Sequence, residues 1–139
     1  MKELSKSSTQ IFLAIISLLN EEGNIQISNE DTYMPLFVEK INVLNEGTEE
    51  ELQEISLAHY GKQNGDLMAD PEMIFIYRPA SEAVIPFYFK QDYMGFEEYS
   101  LQFDEKGEVI GCLDAIQEGQ ADFAEMWLEN IKEQQNLVI

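Results

Sequence analysis

ELQEISLAHYGKQNGDLMADPEMIFIYR, residues 51–78, decides how the chain is read. Over its first ten residues the side chains alternate. Ile55, Leu57 and His59 fall on one face of a strand, and Ser56, Ala58 and Tyr60 on the other. Asn64-Gly65 is a preferred pair for a two-residue hairpin turn because both positions must take positive φ, so the chain should reverse there. Asp70-Pro71 reads as a second turn, since proline fixes its own φ and pushes its predecessor to extended geometry. That turn leads into a further strand, MIFIYR, at 73–78.

The same period of two extends on both sides. YMPLFVEKINV (33–43), AVIPFYFK (83–90), EEYSLQF (97–103) and EVIGCL (108–113) read as strands, with Pro35 suited to a strand start. The links are short and rich in turn residues, and DEKG at 104–107 offers Gly107 for positive φ. Short links force antiparallel neighbours, because a parallel pair needs a crossover of a dozen or more residues. Helical spacing frames this meander. IFLAIISLL (11–19) follows the capping candidates Ser7, Ser8 and Thr9 and precedes Gly23, which predicts a helix over 9–22. QADFAEMWLENIKEQQ (120–135) places Phe123, Met126, Trp127 and Ile131 on one face, and Asp122 with Glu125 has the arrangement of a capping box. The expectation is one α+β domain over 1–139: a two-layer sandwich with an N-terminal helix, about six antiparallel strands in a meander, and a C-terminal helix.

Composition narrows the chemistry. Eight basic and twenty-seven acidic residues give a net charge of -19. The excess is distributed along the chain: 3 basic and 11 acidic residues in 1–60, 5 and 16 in 61–139. Such a field repels phosphates and anionic membranes and attracts basic protein surfaces, so direct nucleic-acid binding is not expected. Cys112 is alone, which excludes an intramolecular disulfide and a cysteine-based zinc site and fits a reducing cytoplasm. The apolar run 11–19 follows Lys2 and Lys6 as in a signal peptide. Asn20, Glu21 and Glu22 replace a cleavage site, however, and nine residues fall far short of the ~20 that span a bilayer.

Chemistry-bearing side chains concentrate in 59–73. His59, Asp66, Asp70 and Glu72 could supply one nitrogen and three oxygens to a metal, but the spacing matches neither a calcium loop nor a zinc site, and no metal or cofactor is expected. His59, Asp66 and Asp70 are the candidate catalytic groups, His59 requiring a carboxylate beside it in a cleft to act as a general base. Turn rules account for Asn64, Gly65, Asp70 and Pro71, and strand register turns His59 toward the core, where packing explains a lone histidine. Asp66, Leu67 and Met68 then remain between two turns without a structural assignment. Lys90 to Phe96 is the other notable link, polar and aromatic together with Gly95 as its pivot. Cys112, within VIGCL, is expected to be inert.

The run H-Y-x-x-x-N-G-D-L-M-x-D-P-E-M (59–73), with Q-D-x-x-G (91–95) and F-A-x-M-W-x-x-N-I (123–131), resembles a family of small uncharacterised proteins carried by phages, plasmids and conjugative elements of anaerobic bacteria. The resemblance covers about 33–135 and brings no established site residues. What it implies is context: carriage on a mobile element, whose small cargo is often anti-defence machinery. Joined to the net charge of -19, that context gives the leading expectation, a non-enzymatic acidic protein that binds and modulates a basic partner in the manner of a nucleic-acid-mimicking inhibitor. Asp66, Leu67, Met68, Asp92, Tyr93, Glu97 and Glu98 are the candidate partner-binding residues, with Glu49, Glu50, Glu51, Glu54, Asp104 and Glu105 as further contributors of charge. Two alternatives stand beside it: a small enzyme or metal-dependent protein centred on His59, Asp66 and Asp70, and a domain that forms a homodimer through the sheet face its helices leave open.

Overall fold

The computed structural model describes residues 1–29 and 33–139. Helix α1 (Lys6–Ile16) opens an α+β fold and helix α2 (Asp114–Gln134) closes it. Between them β1 (Asn24–Ile27), β2 (Leu36–Leu44), β3 (Leu52–Gln63), β4 (Asp66–Arg78), β5 (Ala83–Gln91) and β6 (Phe96–Tyr99) form a six-stranded antiparallel sheet in sequence order. A separate two-stranded sheet pairs β7 (Leu101–Phe103) with β8 (Val109–Cys112).

The β3–β4 hairpin is the spine of the sheet. Asn64 and Gly65 turn it with φ of 52° and 86°, as their sequence requires. The second expected turn is absent: β4 runs without interruption through Asp70-Pro71, whose peptide bond is cis. Pairing passes from Ala58↔Glu72 to Tyr60↔Ala69, so His59 alone opposes Asp70 and Pro71. A bulge therefore absorbs the proline, placing it where the ladder needs no N–H from it. Asp66, Leu67 and Met68 are the first residues of β4, paired with Gln63, Lys62 and Gly61.

One face of the sheet carries both helices. Ile55, Leu57, Met73, Phe75 and Val84 meet Ile11, Phe12 and Ile15 of α1 and Ala124, Leu128 and Ile131 of α2 in one buried cluster. Ser5, outside the expected capping positions, accepts from the Ser8 N–H at the start of α1. That helix ends at Ile16, short of Gly23, which instead takes φ 82° in the turn before β1. Helix α2 begins six residues before the segment expected, so Asp122 and Glu125 lie within it and form no capping box. Those two side chains tie down the N-terminus. Asp122 pairs with Lys2, while Glu125 accepts from the Ser5 N–H and from the hydroxyls of Ser5 and Ser8.

The opposite face is covered only in part. The β7–β8 hairpin packs Leu101, Phe103 and Val109 over Leu52, Ile76, Ile85 and Phe87. The segment expected as one strand over 97–103 divides at Ser100: residues before it extend the large sheet, and those after it pair with β8. Ser100 marks the break by donating its N–H to the Phe87 carbonyl and accepting from the Leu113 N–H. The sixth strand of the large sheet is thus β1, which sequence periodicity did not disclose.

Candidate functional site

Strand register lays out what remains open on the second face. One row across the sheet is Phe37, Ala58, Glu72, Lys90, Glu97, and the next is Glu39, Ser56, Ile74, Tyr88, Tyr99. Asn42 and Glu54 start a third row that runs under the β7–β8 hairpin at Ile76 and Ile85. Tyr60 joins this surface, its ring edge-on to Phe37 at 5.4 Å, and the rings of Tyr88 and Tyr99 meet tilted, with centroids 4.6 Å apart. Four carboxylates and the rings of Phe37, Tyr60 and Tyr99 therefore share one β-surface, with Tyr88 buried beneath it. Neighbouring strands lie about 4.8 Å apart, so carboxylates one or two strands away fall within roughly a Debye length and their fields add.

Local chemistry records that negative potential. Burial raises the Tyr60 phenol above its ordinary value, and Glu72, Glu39 and Asp92 push it further. Burial also raises Tyr88, which stays a phenol and donates to Glu97. Partial burial raises Glu54. Glu72 accepts from the Ser56 hydroxyl at 3.0 Å, which fixes its carboxylate over the sheet. Lys90 is the cation in these rows, and it leans to Asp92 at 3.6 Å.

The candidate partner-binding residues separate. Glu97 lies on the open face, but Glu98, next in the strand, turns to the helix side beside Phe89 and Phe123. Asp92 is half-buried and accepts the Ala69 N–H at 2.7 Å, holding the 3₁₀ turn Asp92–Met94 against β4. Tyr93 reaches back to the Lys62 carbonyl over Gly61, and Gly95 takes φ 63° as the pivot of the link. Asp66 and Leu67 are exposed at the hairpin tip, and Met68 is half-buried. Of the further contributors, Glu54 belongs to the open face. Glu49, Glu50 and Glu51 lie in the β2–β3 loop and Asp104 and Glu105 in the β7–β8 turn. Two of these are already engaged: Glu51 accepts from Gly47 and Gln53, and Asp104 from the N–H groups of Lys106 and Glu108. Sequence reasoning passed over Glu39, Phe37, Tyr60 and Tyr88. For Phe37 and Glu39 the signal was their alternation with the buried Leu36 and Val38.

The catalytic candidates also divide. His59 is 4% exposed, edge-on to Trp127 at 5.5 Å, with Nδ1 3.0 Å from the Pro35 carbonyl oxygen. That oxygen can only accept, so Nδ1 carries the proton. Burial lowers the ring's pKa, opposed by the Pro35 bond and by Asp70, and the neutral ring leaves Nε2 unprotonated. Asp70 accepts from Gln91 Nε2 at 2.8 Å and lines, with His59 and Trp127, a cleft of about 330 Å³. Asp66 is four residues along the hairpin from His59, about 13 Å at strand rise, and is not part of that cleft. Among the described residues no group of three His, Cys, Asp or Glu side chains could hold a metal ion, and no helix is long and apolar enough to cross a membrane. The Asp114 carboxylate, bonded to the Cys112 thiol, pushes that thiol up.

No curated protein and no solved structure matches the chain. A family model described as "Domain of unknown function (DUF6908)" matches residues 9–137, nearly the whole of the α+β fold, and the chain belongs to that family.

Proposed function

We propose that the domain is a non-enzymatic binding module that docks a basic surface of a partner protein on its open sheet face. The observation that carries this reading is the register: Glu39, Glu54, Glu72 and Glu97 share one antiparallel surface with the exposed rings of Phe37 and Tyr99 and the half-buried Tyr60. Carboxylates at fixed spacing offer a lysine- or arginine-rich groove the attraction a phosphate backbone would offer, and the net charge of -19 steers the encounter. Aromatic rings between the carboxylates supply apolar contact and faces for guanidinium stacking. A second copy of the chain is the poorer occupant, since symmetric pairing would set these four carboxylates against their duplicates.

Borne by a mobile element, such a module would inhibit a host nuclease or effector by filling the groove that grips nucleic acid. Affinity capture from the native host tests this. The captured partner should be basic, should be released at about 0.5 M salt, where the Debye length shrinks to a few Å, and should lose bound nucleic acid when the domain is added. Capture that survives high salt, or a partner that holds nucleic acid and domain together, contradicts it.

A further inference from the structure

The cleft at His59 is separate from the open face and is assembled from other parts of the chain. The bulge sets His59 opposite Asp70 and Pro71, α2 contributes Trp127, Asn130 and Gln134, and Met34 closes one side. At about 330 Å³ it lies at the small end of ligand-binding sites. Its lining mixes donors, the indole and the amides of Asn130 and Gln134, with two acceptors that face the cleft from β3 and β4. His59, more than nine-tenths buried, commits Nδ1–H to the Pro35 carbonyl, and among the described residues nothing bonds to Nε2. Asp70 commits Oδ1 to Gln91, and among the described residues Oδ2 has no partner. A fixed imidazole acceptor and a carboxylate oxygen thus share one cleft with an indole and two amides. Two such ligands fall short of what a metal requires, and the indole and proline favour an organic body.

We propose that this cleft binds a small organic cation carrying N–H donors, a guanidinium or ammonium group whose donors meet His59 Nε2 and the Asp70 carboxylate while its apolar stem lies against Trp127 and Pro71. A guanidinium fits the demand best, because its flat fork of N–H groups can serve two acceptors at once and stack beside an indole. The inference does not rest on the open-face reading and can fail or hold without it.

The chain has one histidine and one tryptophan, and both line the cleft, so each gives an unmixed signal. Butylguanidinium and its neutral isostere butylurea are titrated while Trp127 fluorescence and the ¹⁵N imidazole resonances of His59 are followed. In the free protein Nε2 should carry the resonance of an unprotonated nitrogen. Butylguanidinium should shift it and the fluorescence saturably, at least about tenfold more tightly than butylurea, as expected for a charge-assisted bond. Asp70→Asn keeps an acceptor for Gln91 and should bring the two probes within about threefold of one another. An arginine tripeptide with blocked ends separates the two sources of this chemistry: tighter binding than butylguanidinium identifies a peptide side chain, weaker binding a free small cation. No saturable change with butylguanidinium, equal affinity for butylurea, or an unchanged preference in Asp70→Asn overturns the proposal.

Discussion

At His59 a single ring links packing to protonation. The unfolded chain takes up a proton as pH falls through the ordinary histidine value of about 6.5, whereas the buried ring resists until lower pH. Across that window the unfolded state binds more protons, so stability drops as pH falls and stops dropping below the folded pKa. His59→Gln removes the titration together with some packing against Trp127. Its melting temperature should lie below wild type at pH 7.5, and the gap should narrow toward pH 5.5. A constant gap would mean that the ring titrates alike in both states. Gly61 offers a second check. A Cβ there would stand 2.3 Å from the Tyr93 hydroxyl oxygen, the far end of a side chain that can move. Gly61→Ala should cost about 1 kcal/mol, and less in a Tyr93→Phe background, as a double-mutant cycle of denaturation midpoints will register. The burial of His59 was legible from its register with Ile55 and Leu57. Its opposition to Asp70 was not, because a bulge shifts pairing by one residue and leaves no mark on the alternation of β3.

The elements show where local signals were overruled. Asp122 with Glu125 reads as a helix start, yet the α2 backbone continues upstream because Gln117 and Gln120 find partners there: Gln117 bonds Lys2 and Pro86, and Gln120 bonds Ser100 and Glu98. Contacts over 115 residues of sequence cannot be seen in a sixteen-residue window. Burial alone would raise the Glu125 carboxyl, but the bonds from Ser5 and Ser8 outweigh it and bring it below its ordinary value. Glu125→Ala should cost about 1–2 kcal/mol and speed amide exchange at Leu4, whose N–H bonds the Val84 carbonyl. The β7–β8 hairpin depends on Gly107. It combines φ 82° with a position where a Cβ would sit 2.4 Å from Leu44 Cδ1. Gly107→Ala should cost at least about 1–2 kcal/mol and loosen the hairpin from Leu52 and Ile76. The turn itself was legible in DEKG. Its role as a lid over half a sheet face was not, because nothing local to 97–103 announces the change of sheet at Ser100.

For the whole molecule, the change of hydrophobic period from helix to strand and back was enough to read two helices around an antiparallel meander. Net charge was equally plain, but its placement required three-dimensional register. The acidic runs at 49–51 and 104–105 lie on end loops, whereas the face is built from single glutamates, one on each of four strands. This contrast lets two sets of substitutions separate the open face from total charge. Glu39→Gln, Glu72→Gln and Glu97→Gln together, and Glu49→Gln, Glu50→Gln and Glu105→Gln together, alter net charge equally. Affinity for the captured basic partner, measured by calorimetry at fixed salt, should fall by tenfold or more in the face variant, about 1.4 kcal/mol, and stay within about twofold in the loop variant. Equal losses in the two variants would mean that total charge, not the open face, holds the partner.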